Sequence, residues 1–204
     1  SCGCHADEKR AASDPAYRRA LWIVVLLNLG FGLVEIVGGL LARSQALKAD
    51  ALDFLGDGSI TLVGLFALAW AGHTRARVAL TQGCFLATLG LGVIGAAIWR
   101  SMNALPPEAG IMGGLGVAGL IVNVSAALTL MRFRGDGDAN ARAIWLFSRN
   151  DALANIAVII AAVLVAWFKT GWPDLIVAGV IAVLFLHSAW EIICNSLGEL
   201  REPH

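Results

Sequence analysis

Charge is what this sequence has least of. Asp, Glu, Lys and Arg together make up 15% of its 204 residues, against 58% hydrophobic residues. A soluble domain of this size needs more charge to keep its surface wet, so that class is excluded. The four cysteines are too scattered for a disulfide framework. Cys84 and Cys194 fall in or near apolar helix, where an inert buried thiol is the expectation. There is no Gly-rich GxxxxGK[ST] phosphate loop, which argues against ATP-driven chemistry. Nor is there a paired His–Cys or Ser–His arrangement of the kind a hydrolase needs, so the chain is read as no enzyme and as needing no prosthetic group.

What is present is apolar sequence in blocks of about 20 residues, the length a helix needs to cross a bilayer. The blocks are Leu21–Leu41, Leu52–Ala71, Val78–Trp99, Gly110–Met131, Ile144–Phe168 and Leu175–Ile193. They predict an all-α integral membrane protein, a bundle of six transmembrane helices over residues 20–195. An N-terminal arm over 1–19 precedes it and a short tail over 196–204 follows. The arm is polar and the first block is long enough to remain as a span, so no secretory signal is expected. A second globular domain, needing roughly 50 residues or more, has no room.

Basic residues set the orientation. With the N-terminus inside, Lys9, Arg10, Arg18, Arg19, Arg75, Arg77, Arg132, Arg134, Arg142 and Arg201 are cytoplasmic. Arg43, Lys48, Arg100 and Lys169 are outside, and Arg149 falls within a span. Both termini are therefore expected in the cytoplasm of a multi-pass protein of the cell membrane. The net charge of zero gives no reason to expect nucleic acid.

Small residues four apart, Gly83, Ala87, Gly92 and Ala96 in the third block and Gly110, Gly114 and Ala118 in the fourth, predict close helix packing. The second and fifth blocks are different. Asp50, Asp53, Asp57 and Thr61 recur at helical spacing and form one stripe, and Ser148, Asp151 and Asn155 form another. An ionised carboxylate in a bilayer costs several kcal/mol at least, so such residues face a cavity, a partner or a bound cation. At about 1.5 Å per residue, Asp57 falls level with Asp151, and Asp53 level with Asn155. Three carboxylates and an amide near the midplane could replace much of a divalent ion's hydration shell. The competing reading is a structural polar network neutralised by Arg149. That residue's Cα lies on a different face from Asp151, which makes it a poor partner within the helix.

Other residues invite similar questions. Cys2, Cys4 and His5 could capture a soft ion, although three ligands on a short arm do not complete a structural zinc site. Asn28 and Glu35 share a face of the first span. They and His187 in the sixth line a pathway or tie helices together, and for Asn28 and His187 the tie is the favoured reading. His73 sits in a loop and is read as solvated. Gly38, Gly39, Gly56 and Gly58 would give the helices room to rock.

The stretch Ser44-Gln-Ala-Leu-Lys-Ala-Asp50-Ala-Leu-Asp53-Phe-Leu-Gly-Asp57 resembles the second transmembrane helix of the cation diffusion facilitator family. Asp53 and Asp57 fall on that family's two metal ligands. Gly72-His73-Thr74-Arg75-Ala76, Val122-Asn123-Val124-Ser125 and Pro173-Asp174-Leu175 resemble the family's loop into helix three, its helix four and the start of its helix six. The resemblance implies a transporter of divalent metal ions of the Zn2+ and Cd2+ type, carried as substrate and exchanged for protons. It also implies export from the cytoplasm.

Three departures qualify the likeness. Asp151 fits the family's helix-five Asp, but Phe147 stands where zinc-moving members carry His; Asn155 or Ser148 is the expected substitute. An oxygen-dominated site is less matched to zinc, so manganese, iron and cobalt become candidates beside cadmium. After Ile193 only Cys194 to His204 remain, so the family's cytoplasmic ferredoxin-like domain is expected to be absent. Any homodimer would then rest on the transmembrane helices. Arg77 replaces an acid the family often has, so no second, loop-borne metal site is expected. The rival functions are a passive cation channel, for which a repeated acidic ring is missing, and a non-transporting metal sensor.

Overall fold

The computed structural model describes residues 15–67, 72–102, 105–131 and 139–201, with the side chains of 67, 72–73, 75 and 139–150 outside that description. The helices in chain order are α1 (Pro15–Leu41), α2 (Gln45–Ala67), α3 (Gly72–Ser101), α4 (Ala109–Met131), α5 (Ala139–Phe168) and α6 (Trp172–Arg201). All six match the expected spans, but most are longer. Hydropathy marks only the part of a helix that dissolves in hydrocarbon, whereas backbone hydrogen bonding carries a helix on into polar sequence. So α1 begins at Pro15, α2 already at Gln45, and α6 continues through Arg201, into the segment read as a tail.

Five of the helices are long and apolar enough to cross a membrane. The exception is α2, whose 23 residues include Lys48, Asp50, Asp53 and Asp57. It takes the central place and touches each of the other five helices. Burying this acid-bearing helix inside the bundle leaves apolar side chains of its neighbours facing lipid, where Leu26, Leu41, Phe85, Trp99, Trp167 and Ile176 are exposed. Exposed apolar side chains are the expected surface for a protein whose solvent is hydrocarbon.

Glycines let α1 lie close along α2. A Cβ on Gly39 would stand 3.2 Å from the Lys48 nitrogen, and one on Gly58 would stand 3.1 Å from the Leu29 nitrogen. These residues let the two backbones approach closely. The small-residue stripes also differ from expectation. On α3 it is Gly83 and Gly90 that meet α6, and on α4 it is Gly116 and Gly119 that meet α5; Gly92 and Gly114 face open space. Spacing alone does not tell which of several small-residue faces meets a neighbour. Cys84 and Cys194 likewise are exposed and not buried.

The α1–α2 connection is tight. Ala42 and Ser44 nitrogens donate to the Gly38 and Gly39 carbonyls, and Arg43 takes a left-handed conformation (φ 55°) that closes α1. The start of α2 is then held from α6. The Ser44 hydroxyl donates to Asp174 Oδ1 at 2.5 Å, and the Gln45 and Ala46 nitrogens donate to its two oxygens at 2.8 and 3.0 Å. Ser44 Oγ in turn accepts from the Leu47 nitrogen at 3.1 Å, capping the helix. All of these groups are buried.

The bundle therefore has two unlike halves. Around the α1–α2 connection the interior between the helices is filled by Ala42, Ala46, Leu47, Ala49, Met112, Val158, Ala161, Ala162, Ala178 and Ile181. The space at that end, about 510 Å³ lined by Leu41, Arg43, Pro106, Glu108 and Lys169 among others, lies among the connections and helix ends and is lined by none of the acids on the helices. The half nearer the start of α1 and the end of α6 is hollow.

Candidate metal pathway

Two cavities occupy the hollow half. The first, of about 360 Å³, lies between α2, α3, α5 and α6 and is lined by Asp53, Asp57, Asp151, His187, Glu191 and Asn195 among others. The second, of about 310 Å³, lies between α1, α2, α4 and α5 and is lined by Asn28, Asp57, Thr61, Asn123 and Asp151 with apolar neighbours. Asp57, Ile60 and Asp151 line both. Two carboxylates from different helices thus form the wall where the cavities adjoin.

Helical period explains the grouping. Asp53 and Asp57 are one turn apart on α2, and that face looks toward α5, where Asp151 lies. Asp53 and Asp151 are the charged neighbours that Asp57 senses. The acids line the wall without converging. Among the described residues, no group of three His, Cys, Asp or Glu side chains is close enough to hold a metal ion as it stands. An ion entering this cavity would meet oxygen donors from two helices and draw them together.

The sequence-derived candidates divide. Asp53, Asp57 and Asp151 line one cavity. Asn155 lines neither cavity. Its amide donates to the Asp151 carbonyl at 3.0 Å, while its Oδ1 is buried without a hydrogen-bond partner beside Gly119 of α4. Sharing a stripe fixes a residue's side of the helix, but the side-chain torsions send this carboxamide toward α4. Thr61 lines the second cavity while its hydroxyl donates to the Asp57 carbonyl. Asp50 and Glu35 are wholly buried away from both cavities.

His187 does not tie helices together. Its side chain is 72% exposed and stands 3.7 Å from Glu191 on the same helix, at the edge of the first cavity. Asn28 is buried and lines the second cavity, with its Oδ1 unpaired. The side chains of Phe147, Ser148, Arg149 and His73 lie outside the described residues, as do Cys2, Cys4 and His5 altogether.

Sequence reasoning missed Glu191 and Asn195, which join the cavity wall. The available signal was the helical spacing from His187 to Glu191 to Asn195, masked by the apolar residues between them. It also missed Asp174 as the anchor of α2, because nothing in a linear pattern pairs residues this far apart.

Comparison with known proteins places these features in a family. Residues 21–201 match the model of the cation efflux transmembrane domain. The chain is 34% identical over 190 residues to the zinc transporter ZitB of Escherichia coli (strain K12), an alignment covering 86% of this chain and 60% of that protein. It is 30% identical over 206 residues to the cadmium, cobalt and zinc/H(+)-K(+) antiporter of Bacillus subtilis (strain 168), covering 93% and 65%. To the metal cation efflux system protein CzcD of Cupriavidus metallidurans it is 29% identical over 199 residues, covering 90% and 62%. The chain thus spans somewhat under two thirds of the length of these relatives. With the acidic cavity held inside a helical bundle and the family's model matching most of the chain, the chain belongs to the cation efflux, or cation diffusion facilitator, family and is a multi-pass membrane protein.

Proposed function

We propose that the protein exports divalent transition-metal ions from the cytoplasm across the cell membrane in exchange for protons, with Asp53, Asp57 and Asp151 as the binding carboxylates. One observation carries the reading: three acids from two helices line a single cavity in the hollow half of the bundle. In the orientation given by the basic residues, that half is cytoplasmic and the packed half is external. The conformation is then open inward, and the apolar plug around Leu47 and Met112 is what separates an exchanger from an open pore.

In the exchange, a hydrated ion enters by the rim formed by His187, Glu191 and Asn195 and trades water for carboxylate oxygens at Asp57 and Asp151. Protons leave those carboxyls as the metal binds. Charge neutralisation lets the helices close around the ion and the external plug part. Protons from outside then compete for the same oxygens and release it. Each proton that displaces the metal is one the site must give up again on the cytoplasmic side, which couples the two flows without ATP.

The oxygen-rich donor set suits manganese and iron(II), with cobalt, zinc and the softer cadmium as further cargo. Relatives named for zinc, cadmium and cobalt support the same class of cargo. Asn155 supplies the fourth donor if its side chain turns one torsion toward Asp151, and Ser148 is the alternative. A homodimer through the lipid-facing helices is the expected assembly.

The test is uptake of these ions by proteoliposomes holding a pH gradient, with proton flow followed in parallel. Asp57→Asn and Asp151→Asn are expected to abolish both flows. Metal that crosses without proton movement, or that crosses equally in both variants, refutes the proposal.

A further inference from the structure

Glu35 and Asp50 form a second acidic feature that the cavities do not include. Gly32 approaches Ala51 and Gly39 approaches Lys48 across the α1–α2 interface, and Glu35 and Asp50 lie between these two approaches. Their side chains stand within hydrogen-bonding reach of each other. Glu35 is 0% exposed and Asp50 1%. Neither oxygen of Glu35 has a donor, nor does Oδ2 of Asp50.

The charges around the pair make matters worse for two carboxylates. Asp53 of α2 acts on both groups, and Asp151 of α5 interacts with Asp50. The cation nearest in sequence, Lys48, has Asp174 and Arg100 as its electrostatic neighbours, at the connecting end of the bundle. Among the described residues no cation acts on either carboxyl, and two buried, adjacent carboxylates so placed would face both desolvation and mutual repulsion. A proton on one of them removes the repulsion and supplies the donor that the unpaired oxygens lack.

We infer that Glu35 and Asp50 form a dedicated proton-binding site, apart from the metal-binding carboxylates and one turn further toward the external end of α2. Asp50 lies three residues before Asp53, so the pair sits between the cavity and the plug around Leu47. When α1 and α2 separate as the external side opens, water reaches the pair and its proton exchanges there. The pair then carries a proton that the metal does not displace directly. This role rests on the exchanger reading above, while the presence of the proton does not.

Three measurements on the reconstituted protein test this. Infrared difference spectra should show a protonated-carboxyl C=O band that persists when cadmium saturates the cavity and disappears in the double variant Glu35→Gln, Asp50→Asn. Cadmium affinity by calorimetry should stay within about twofold in Glu35→Gln but fall by about tenfold or more in Asp57→Asn. Proton-driven cadmium uptake should drop by about tenfold in Glu35→Gln. Affinity within that limit also certifies that the variant is folded.

Absence of the persistent band overturns the proton site, whether or not the protein transports. Loss of cadmium affinity in Glu35→Gln makes the pair a metal site and overturns it equally. A persistent band with unchanged uptake in Glu35→Gln overturns the role in exchange. Should the intact protein move no metal at all, the exchanger reading fails while the infrared and calorimetric results still decide the site.

Discussion

Replacing Asp174 by alanine tests whether α2 is positioned by its anchor on α6. The carboxylate accepts from the Ser44 hydroxyl and from the Gln45 and Ala46 nitrogens, all buried. Alanine would leave these donors without acceptors. The hydroxyl can turn, but the two backbone N–H groups cannot, and each buried orphan costs about 1–3 kcal/mol. Adding the lost interaction of a negative charge with the start of α2, a total of about 3–5 kcal/mol is expected. For a chain of this size each kcal/mol lowers the melting temperature by about 2–4 °C, giving a drop of about 6–20 °C. Asp174→Asn should fall between, since its amide oxygen still accepts while its NH2 group confronts a donor. Thermal unfolding in detergent, followed by tryptophan fluorescence, measures this directly. The exposed Glu199→Ala serves as control, with an expected change within about 0.5 kcal/mol. A drop of under about 2 °C in Asp174→Ala would refute the argument, because the donors would then have found other partners.

Other expectations follow from the same geometry. A side chain on Gly119 would push aside the unpaired Asn155 Oδ1, the end of a side chain that can turn, so Gly119→Ala should cost no more than about 1 kcal/mol in detergent melting, whereas Gly114→Ala, facing open space, should be neutral or slightly stabilising. Metal binds the deprotonated carboxyls, so cadmium affinity measured by calorimetry should tighten as pH rises and weaken as it falls. A pH-independent affinity would show that the ion is held by groups other than Asp53, Asp57 and Asp151. In a variant with Cys2 and Cys4 replaced by serine, the exposed Cys194 near the end of α6 should react with a water-soluble maleimide, while Cys84, mid-helix and exposed toward lipid, should react only with a lipophilic one. Protection of Cys194 when the reagent is confined to the cytoplasmic side would overturn the orientation.

Legibility varied with the range of the interaction. Apolar blocks of bilayer length and polar stripes at helical spacing are local, and both the bundle and the grouping of Asp53, Asp57 and Asp151 followed from them. Asp57 and Asp151, paired by helical rise, line the same two cavities. Side-chain direction was not legible in the same way. Asn155 shares its stripe with Asp151, yet its carboxamide is committed to α4, and His187 looked like an interior residue but stands at a rim.

The sequence by itself determined that this chain crosses a membrane repeatedly and sets Asp50, Asp53, Asp57 and Asp151 as stripes on two helices, because hydrocarbon enforces both helix length and the burial of charge. Only the tertiary structure decided which half of the bundle is hollow, that α2 occupies the centre, and that Asp174 reaches back across the chain to hold it. It also decided that Glu35 and Asp50 meet with no cation among the described residues beside them. Those outcomes depend on which helix faces come together, and the free energy that selects them comes from packing and hydrogen bonds between residues far apart in the chain.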